Sequence, residues 1–272
     1  MLMPPARPKD DIAELLNRLE QRDRSALSRL LTLAARSSYC EELKAALSSA
    51  AQNQQPVIAV AGSGGVGKSS LLDAITLHLA GLGQTAGIAC CDPQSPITGG
   101  ALLGDRCRIA ATQESDRVFL RSLATESGAQ GVAVHLDVML QVMRAFGFDH
   151  LLVETVGIGQ GDTAIHELAD VVVLVLQPQT GDELQWEKAG VLEVADVVVI
   201  NKADLPGADR TVIDVKHHVD VPVVATSVSR NTGIEELWQV IKDAATERLN
   251  KRVPQVGHPG APGPDRLVND TE

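Results

Sequence analysis

The stretch VIAVAGSGGVGKSSLLDAITLHLA, residues 57–80, constrains the fold of this chain more than any other. Five apolar residues rich in β-branched side chains read as a buried strand, and the apolar spacing from Leu71 onward reads as a helix. Between them Gly62-Ser63-Gly64-Gly65-Val66-Gly67-Lys68-Ser69-Ser70 fits G-x-x-x-x-G-K-[ST]. A strand, a glycine-rich turn and a helix in that order gather backbone N–H groups and the positive end of the helix around one point. Phosphate suits such a point. Lys68 is placed to reach the outer phosphates of a nucleotide, and Ser69 to give its hydroxyl to magnesium.

The rest of the chain repeats the alternation of buried strand and helix. Strands are expected at 57–61, 87–91, 118–123, 151–154, 171–176, 197–200 and 223–227, and helices at 68–82, 133–146, 183–194 and 233–250. Continuous apolar runs fit strands buried on both faces, so the fold class is α/β: a P-loop NTPase whose mostly parallel central sheet is flanked by helices. Ahead of it, Ile12, Leu15, Leu16, Leu19, Leu27, Leu30, Leu31, Leu43, Ala46 and Leu47 recur at helical spacing and predict two or three amphipathic helices. The expected division is a helical extension at 1–55, the P-loop domain at 56–252, and a Pro/Gly-rich mobile tail at 253–272.

A second motif decides which nucleotide. After the strand VVVI comes Asn201-Lys202-Ala203-Asp204, fitting N-K-x-D where an open α/β sheet binds its ligand. The Asp204 carboxylate can accept from the guanine N–H and exocyclic amine, whereas adenine would leave it unpaired, and unpaired buried groups are how such sites reject analogues. Asn201 and Lys202 would brace the loop, with the lysine stem over the purine. Ser227 and Val228, in TSV after the next strand, stand where many GTPases contribute a backbone N–H to the guanine carbonyl. GTP and GDP are therefore the expected ligands.

Asp92 follows one strand, Glu154 ends another, and Asp105 lies in GGALLGDR; all three suit a magnesium ion or its waters. Lys68, Asp92 and Glu154 form the expected catalytic set. Gly157 fits a backbone N–H that senses the terminal phosphate. Gln160 lies three residues beyond it, not one as in Ras-like proteins, so a water-orienting role does not transfer directly.

Composition narrows the partners. The 24 Lys+Arg against 35 Asp+Glu leave a net charge of −11, and one Tyr, two Trp and three Phe supply little base-stacking surface, so no nucleic-acid partner is expected. Four cysteines show neither C-x-x-C nor zinc-ligand spacing. No apolar run approaches a membrane span and no secretory leader is visible, so a cytoplasmic protein without membrane contact is expected.

Several segments together resemble one family: LEQRDRSALSRLLTL, GSGGVGKSS, DPQSPITGGALLGDRCRIA, VFLRS, ETVGIGQGD, GDELQWEKAGVLEVADVVVINKAD and TGIEEL. They are similar to the MeaB/ArgK family, which includes the methylmalonic aciduria type A protein: G-protein chaperones of adenosylcobalamin-dependent acyl-CoA mutases. The resemblance spans residues 12–250, and GG-x-x-LGD-R with ETVG-x-GQ is specific to it. It implies a GTPase, slow alone and accelerated by the mutase, that gates cofactor loading and protects or rescues the mutase, methylmalonyl-CoA mutase first among the expected partners. It also implies a homodimer, and a partner-coupling segment at 177–188 with Gln160, Asp182, Glu183, Gln185 and Lys188 as candidates. The chain departs from the family where LQPQTGDE replaces the usual Pro-Gly-x-GDE.

Other readings compete. ATPases of the MinD, ParA and ArsA type carry a lysine where this chain has Ser63. A nickel-delivery GTPase of hydrogenase or urease maturation shares N-K-x-D but needs thiol or imidazole ligands, and adjacent Cys90 and Cys91 would face opposite sides of a strand. A nucleotide-dependent interaction module with negligible catalysis is the third alternative.

Overall fold

The computed structural model describes residues 11–47, 55–93, 115–125, 132–156, 163–178, 192 and 195–252. Three helices lead: α1 (Ile12–Glu20), α2 (Arg24–Ala34) and α3 (Ser37–Leu47). Asp11 and Asp23 cap the first two, each carboxylate accepting from two backbone N–H groups of the first turn. Then come β1 (Val57–Ala61), α4 (Lys68–Gly81), β2 (Ala86–Pro93), β3 (Val118–Thr125), α5 (Leu136–Phe146), β4 (His150–Glu154) and α6 (Thr163–Leu168). The chain continues through β5 (Val171–Leu176), β6 (Val197–Ile200), α7 (Ala208–Lys216), β7 (Val223–Ala225) and α8 (Ile234–Arg252).

All seven strands pair in parallel, in the order β3-β2-β4-β1-β5-β6-β7. Every residue of β1, β5 and β6 is buried, which is why these strands read as unbroken apolar runs. Alternate residues serve two cores. Ile58, Val60, Val171, Val173 and Val175 pack with Leu72, Ile75 and Leu79 of α4 and Leu237 and Ile241 of α8. On the other face Ala59, Leu151 and Val153 pack with α5 and with Leu19, Leu27, Leu30 and Leu43 of the leading helices. The three leading helices therefore share the sheet's own core. Arg22 donates to the Gly147 carbonyl, and Arg24 to the carbonyls of Val118 and Asp116, which ties the α1–α2 hairpin to α5 and β3.

The seven expected strands are present, three with the expected bounds and four with shifted ends. The run 223–227 stops at Ala225, because Ser227 instead bridges Thr232 in antiparallel sense. Expected helix 133–146 begins at Leu136, since His135 adopts a left-handed φ of 61°. Helices 68–82 and 233–250 become α4 and α8. Helix 183–194 and the tail fall almost wholly outside the described residues. The sequence reading missed α6 and α7, short helices of six and nine residues; α7 buries Ala208 and Val215.

Three aspartates at the opening ends of the strands set their register. Asp149, Asp170 and Asp196 immediately precede β4, β5 and β6, and accept from the backbone N–H of Thr85, Val57 and Val172 at 2.7, 2.7 and 2.8 Å. Each carboxylate thus satisfies a donor at the start of a neighbouring strand. Asp170 is buried and also meets Arg144, at 3.4 Å. Asp170→Ala, which removes a charge-assisted bond to the first N–H of β1, is expected to lower stability by about 2–3 kcal/mol. Equilibrium urea unfolding at unchanged slope reads this; a midpoint equal to the parent's contradicts it.

Candidate nucleotide site

The glycine loop lies at the carboxyl end of β1, between β4 and β5, where strand order reverses about the central strand. Two glycines are required by contact as well as conformation. A Cβ on Gly62 would lie 2.5 Å from the Val175 carbonyl oxygen, and one on Gly67, at φ 96°, 2.5 Å from Asn201 Nδ2. Gly65 also has positive φ. Lys68 opens α4, and its Nζ donates back to the carbonyls of Gly62 at 2.8 Å and Ser63 at 3.2 Å. The ammonium thereby sits over the loop, where an outer phosphate can exchange for those carbonyls.

Ser69 and Glu154 are brought together: the serine hydroxyl donates to Glu154 Oε1 at 2.8 Å. Glu154 is buried at the end of β4, and its register partner on β2 is Cys90. Because Cys90 packs on the α4 face, Asp92, two residues on, falls on that same face and is buried as well. The Ser69 hydroxyl and the Glu154 carboxylate are hard oxygens of the kind magnesium takes, and Asp92 lies at the carboxyl end of the adjacent strand. Cys90 and Cys91 do not contribute. Cys90 lies in the α4 core, Cys91 in the α5 core, and burial pushes the Cys91 thiol up to about 12.

The base-reading loop is joined to the glycine loop by direct bonds. Asn201 is buried at the end of β6; its Nδ2 donates to the Val66 carbonyl at 2.9 Å and its Oδ1 accepts from Thr226 Oγ1 at 3.2 Å. Lys202, at a left-handed φ of 57°, donates from Nζ to the Gly65 carbonyl at 2.7 Å and to Gln177 Oε1 at 2.6 Å. Asp204 accepts from the Ser227 hydroxyl, which holds its carboxyl below the usual carboxylate range, helped by its own backbone N–H. In the same turn the Ser227 N–H donates to the Thr232 carbonyl at 3.0 Å, and the Val228 carbonyl accepts from the Asn231 N–H at 3.1 Å.

The sequence-derived residues Gly62 to Ser70, Glu154, Asn201 and Lys202 thus meet through direct contacts, while Asp204, Ser227 and Val228 form the adjoining turn. Asp105, Gly157, Gln160, Asp182, Glu183, Gln185 and Lys188 lie outside the described residues. Sequence reasoning missed Thr226 and Gln177 as partners of this loop. Gln177 did leave a signal, as the polar residue that ends the apolar run of β5.

The family model described as methylmalonyl-CoA mutase-associated GTPase MeaB matches residues 27–253. A putative GTPase of Pyrococcus abyssi is 39% identical over 245 residues, covering 85% of this chain and 75% of its own. A fused isobutyryl-CoA mutase of Geobacillus kaustophilus is 37% identical over 208 residues, 73% of this chain and 19% of that longer one. Among solved structures, an LAO/AO transport system kinase superposes with a TM-score of 0.68 at 25% identity, over 93% of this chain and 79% of its own. The chain belongs to the family of methylmalonyl-CoA mutase-associated GTPases of the MeaB type.

Proposed function

We propose that this GTPase serves an adenosylcobalamin-dependent acyl-CoA mutase, gating cofactor loading and protecting or reactivating the mutase in step with its nucleotide. The observation that carries this reading is covalent: a segment similar to 73% of this chain forms part of a polypeptide named as a fused isobutyryl-CoA mutase. Components joined in one chain in one organism are good candidates to associate as separate chains in another. Methylmalonyl-CoA mutase, named in the family description, is the first partner to test. No nickel-delivery role is favoured, because Cys90 and Cys91 are buried on opposite faces of the sheet.

The residues take these roles. The loop from Gly62 to Ser70 holds the phosphates through backbone N–H groups, and Lys68 exchanges its contacts to Gly62 and Ser63 for the outer phosphates. Ser69, Asp92 and Glu154, with Asp105, hold magnesium or its waters; the ion, when bound, neutralises charge on the phosphate oxygens. Glu154 keeps the Ser69 hydroxyl oriented. Asp204 reads the guanine edge, Lys202 covers the purine, Asn201 braces both loops, and Val228 offers its N–H to the carbonyl. Gly157 senses the terminal phosphate, and Gln160, Asp182, Glu183, Gln185 and Lys188 carry the state to the mutase. A homodimer in a cytoplasmic setting completes the proposal; among the described residues no helix is long and apolar enough to cross a membrane.

Lys68→Ala is expected to weaken GTP binding on the order of 100-fold, as loss of a charge-assisted contact would, while normal turnover in that variant refutes the phosphate assignment. Asp204→Asn should move preference from guanosine to xanthosine nucleotide by about tenfold or more; retained GTP selectivity argues against the base site. The Asp204 pKa is depressed, so its ionised form survives as pH falls through the usual carboxylate range. Guanine preference at about pH 4, where an ordinary aspartate is about half protonated, should therefore match that at about pH 6, and competition between GDP and IDP at both values decides it. For the partner, purified methylmalonyl-CoA mutase should accelerate GTP hydrolysis and co-elute in a nucleotide-dependent way; turnover unchanged by the mutase contradicts the chaperone role.

A further inference from the structure

Gln177 belongs to neither nucleotide motif, yet it touches the base-reading loop. It directly follows Leu176, the last residue of β5, and the alternation Val171, Val173, Val175 puts it on the face that carries α4. Its Oε1 accepts from Lys202 Nζ at 2.6 Å, beside the Gly65 carbonyl, which accepts from the same ammonium at 2.7 Å. Two of the three ammonium donors are thereby directed. Both acceptors are neutral, so the cation is aimed without losing its charge.

The two acceptors differ in rigidity. Gly65 belongs to a glycine turn and itself has positive φ, whereas Gln177 is anchored to a strand paired on both sides, by β1 and by β6. Lys202 holds a left-handed backbone that a residue with a Cβ adopts only where its surroundings over-determine it. The Asn201 bonds fix the residue before it, and Gln177 fixes the far end of its side chain.

We propose that Gln177 is a positioning residue for guanine-nucleotide binding: acting through Lys202, its amide oxygen holds the lysine stem in place over the purine. This rests on the guanine reading of the N-K-x-D loop given above. The role needs an acceptor at position 177, and an apolar side chain of the same length would leave Lys202 anchored only to the glycine turn.

The test is a double-mutant cycle on the full chain, reading release of a fluorescent methylanthraniloyl-GDP with magnesium present. Gln177→Met should speed release roughly three- to tenfold, as loss of one hydrogen bond to a charged group would, with the melting temperature unchanged. Gln177→Glu, which keeps the acceptor, should stay within about twofold of the parent. In a Lys202→Met background, Gln177→Met should add nothing, because the residue acts through that lysine. Release unchanged in Gln177→Met while Lys202→Met is impaired overturns the proposal. So does an additive double mutant, or a Gln177→Glu as impaired as the methionine variant. Lys202→Met with parental release overturns the guanine reading instead. Should Gln177→Met aggregate, Gln177→Ser carries the same expectations.

Discussion

One buried amide, that of Asn201, holds the two halves of the site in register. Its Nδ2 reaches the Val66 carbonyl inside the glycine loop, its Oδ1 takes the Thr226 hydroxyl, and its backbone N–H bonds the Leu176 carbonyl at the end of β5. Phosphate loop, base-reading loop, β5 and the turn after β7 all meet on this residue. Such a group must be fully satisfied, since a buried amide left without partners costs more than a bond returns. The approach is possible only because Gly67 has no Cβ to occupy the space of the amide.

That clamp depends in turn on a sheet whose strands all run the same way. Parallel pairing collects every strand's carboxyl end at one edge, and there Gly62, Asp92, Glu154, Gln177 and Asn201 emerge from β1, β2, β4, β5 and β6. The opposite edge carries Asp149, Asp170 and Asp196, whose carboxylates accept strand N–H groups. Acidic side chains therefore serve register at one end and ligand chemistry at the other. The leading helices bury Leu19, Leu27, Leu30 and Leu43 against the face remote from α4. They stabilise the sheet without covering the glycine loop's own helix.

Much of this was legible in the residues. β1, β5 and β6 read as strands because burial on both faces leaves no polar position to confuse the pattern, and the two nucleotide motifs fixed Lys68, Asn201 and Asp204 by spacing alone. What stayed hidden is long-range. The bond from Ser69 to Glu154 spans 85 positions and that from Asn201 to Val66 spans 135, distances at which no local pattern speaks. Gln177 was visible only as the polar residue that ends the apolar run of β5, and its contact with Lys202 needed the fold. α7 escaped although its apolar residues Val212 and Val215 stand at helical spacing, because the helix is only nine residues long and buries two of its residues. The aspartates before the strands left no signal, since a carboxylate that pairs with a neighbouring strand looks the same in sequence as one in water.

The central claim is that the two loops welded by Asn201 form one pocket selective for guanine nucleotide. Calorimetric titration of the full chain with GDP and with ADP, each with magnesium, tests it most directly. The account predicts a single saturable exotherm with GDP and affinity for ADP lower by on the order of 100-fold or more, the discrimination expected when a base covers the Asp204 carboxylate without donating to it. Equal affinity for both, or no heat with GDP, would contradict it.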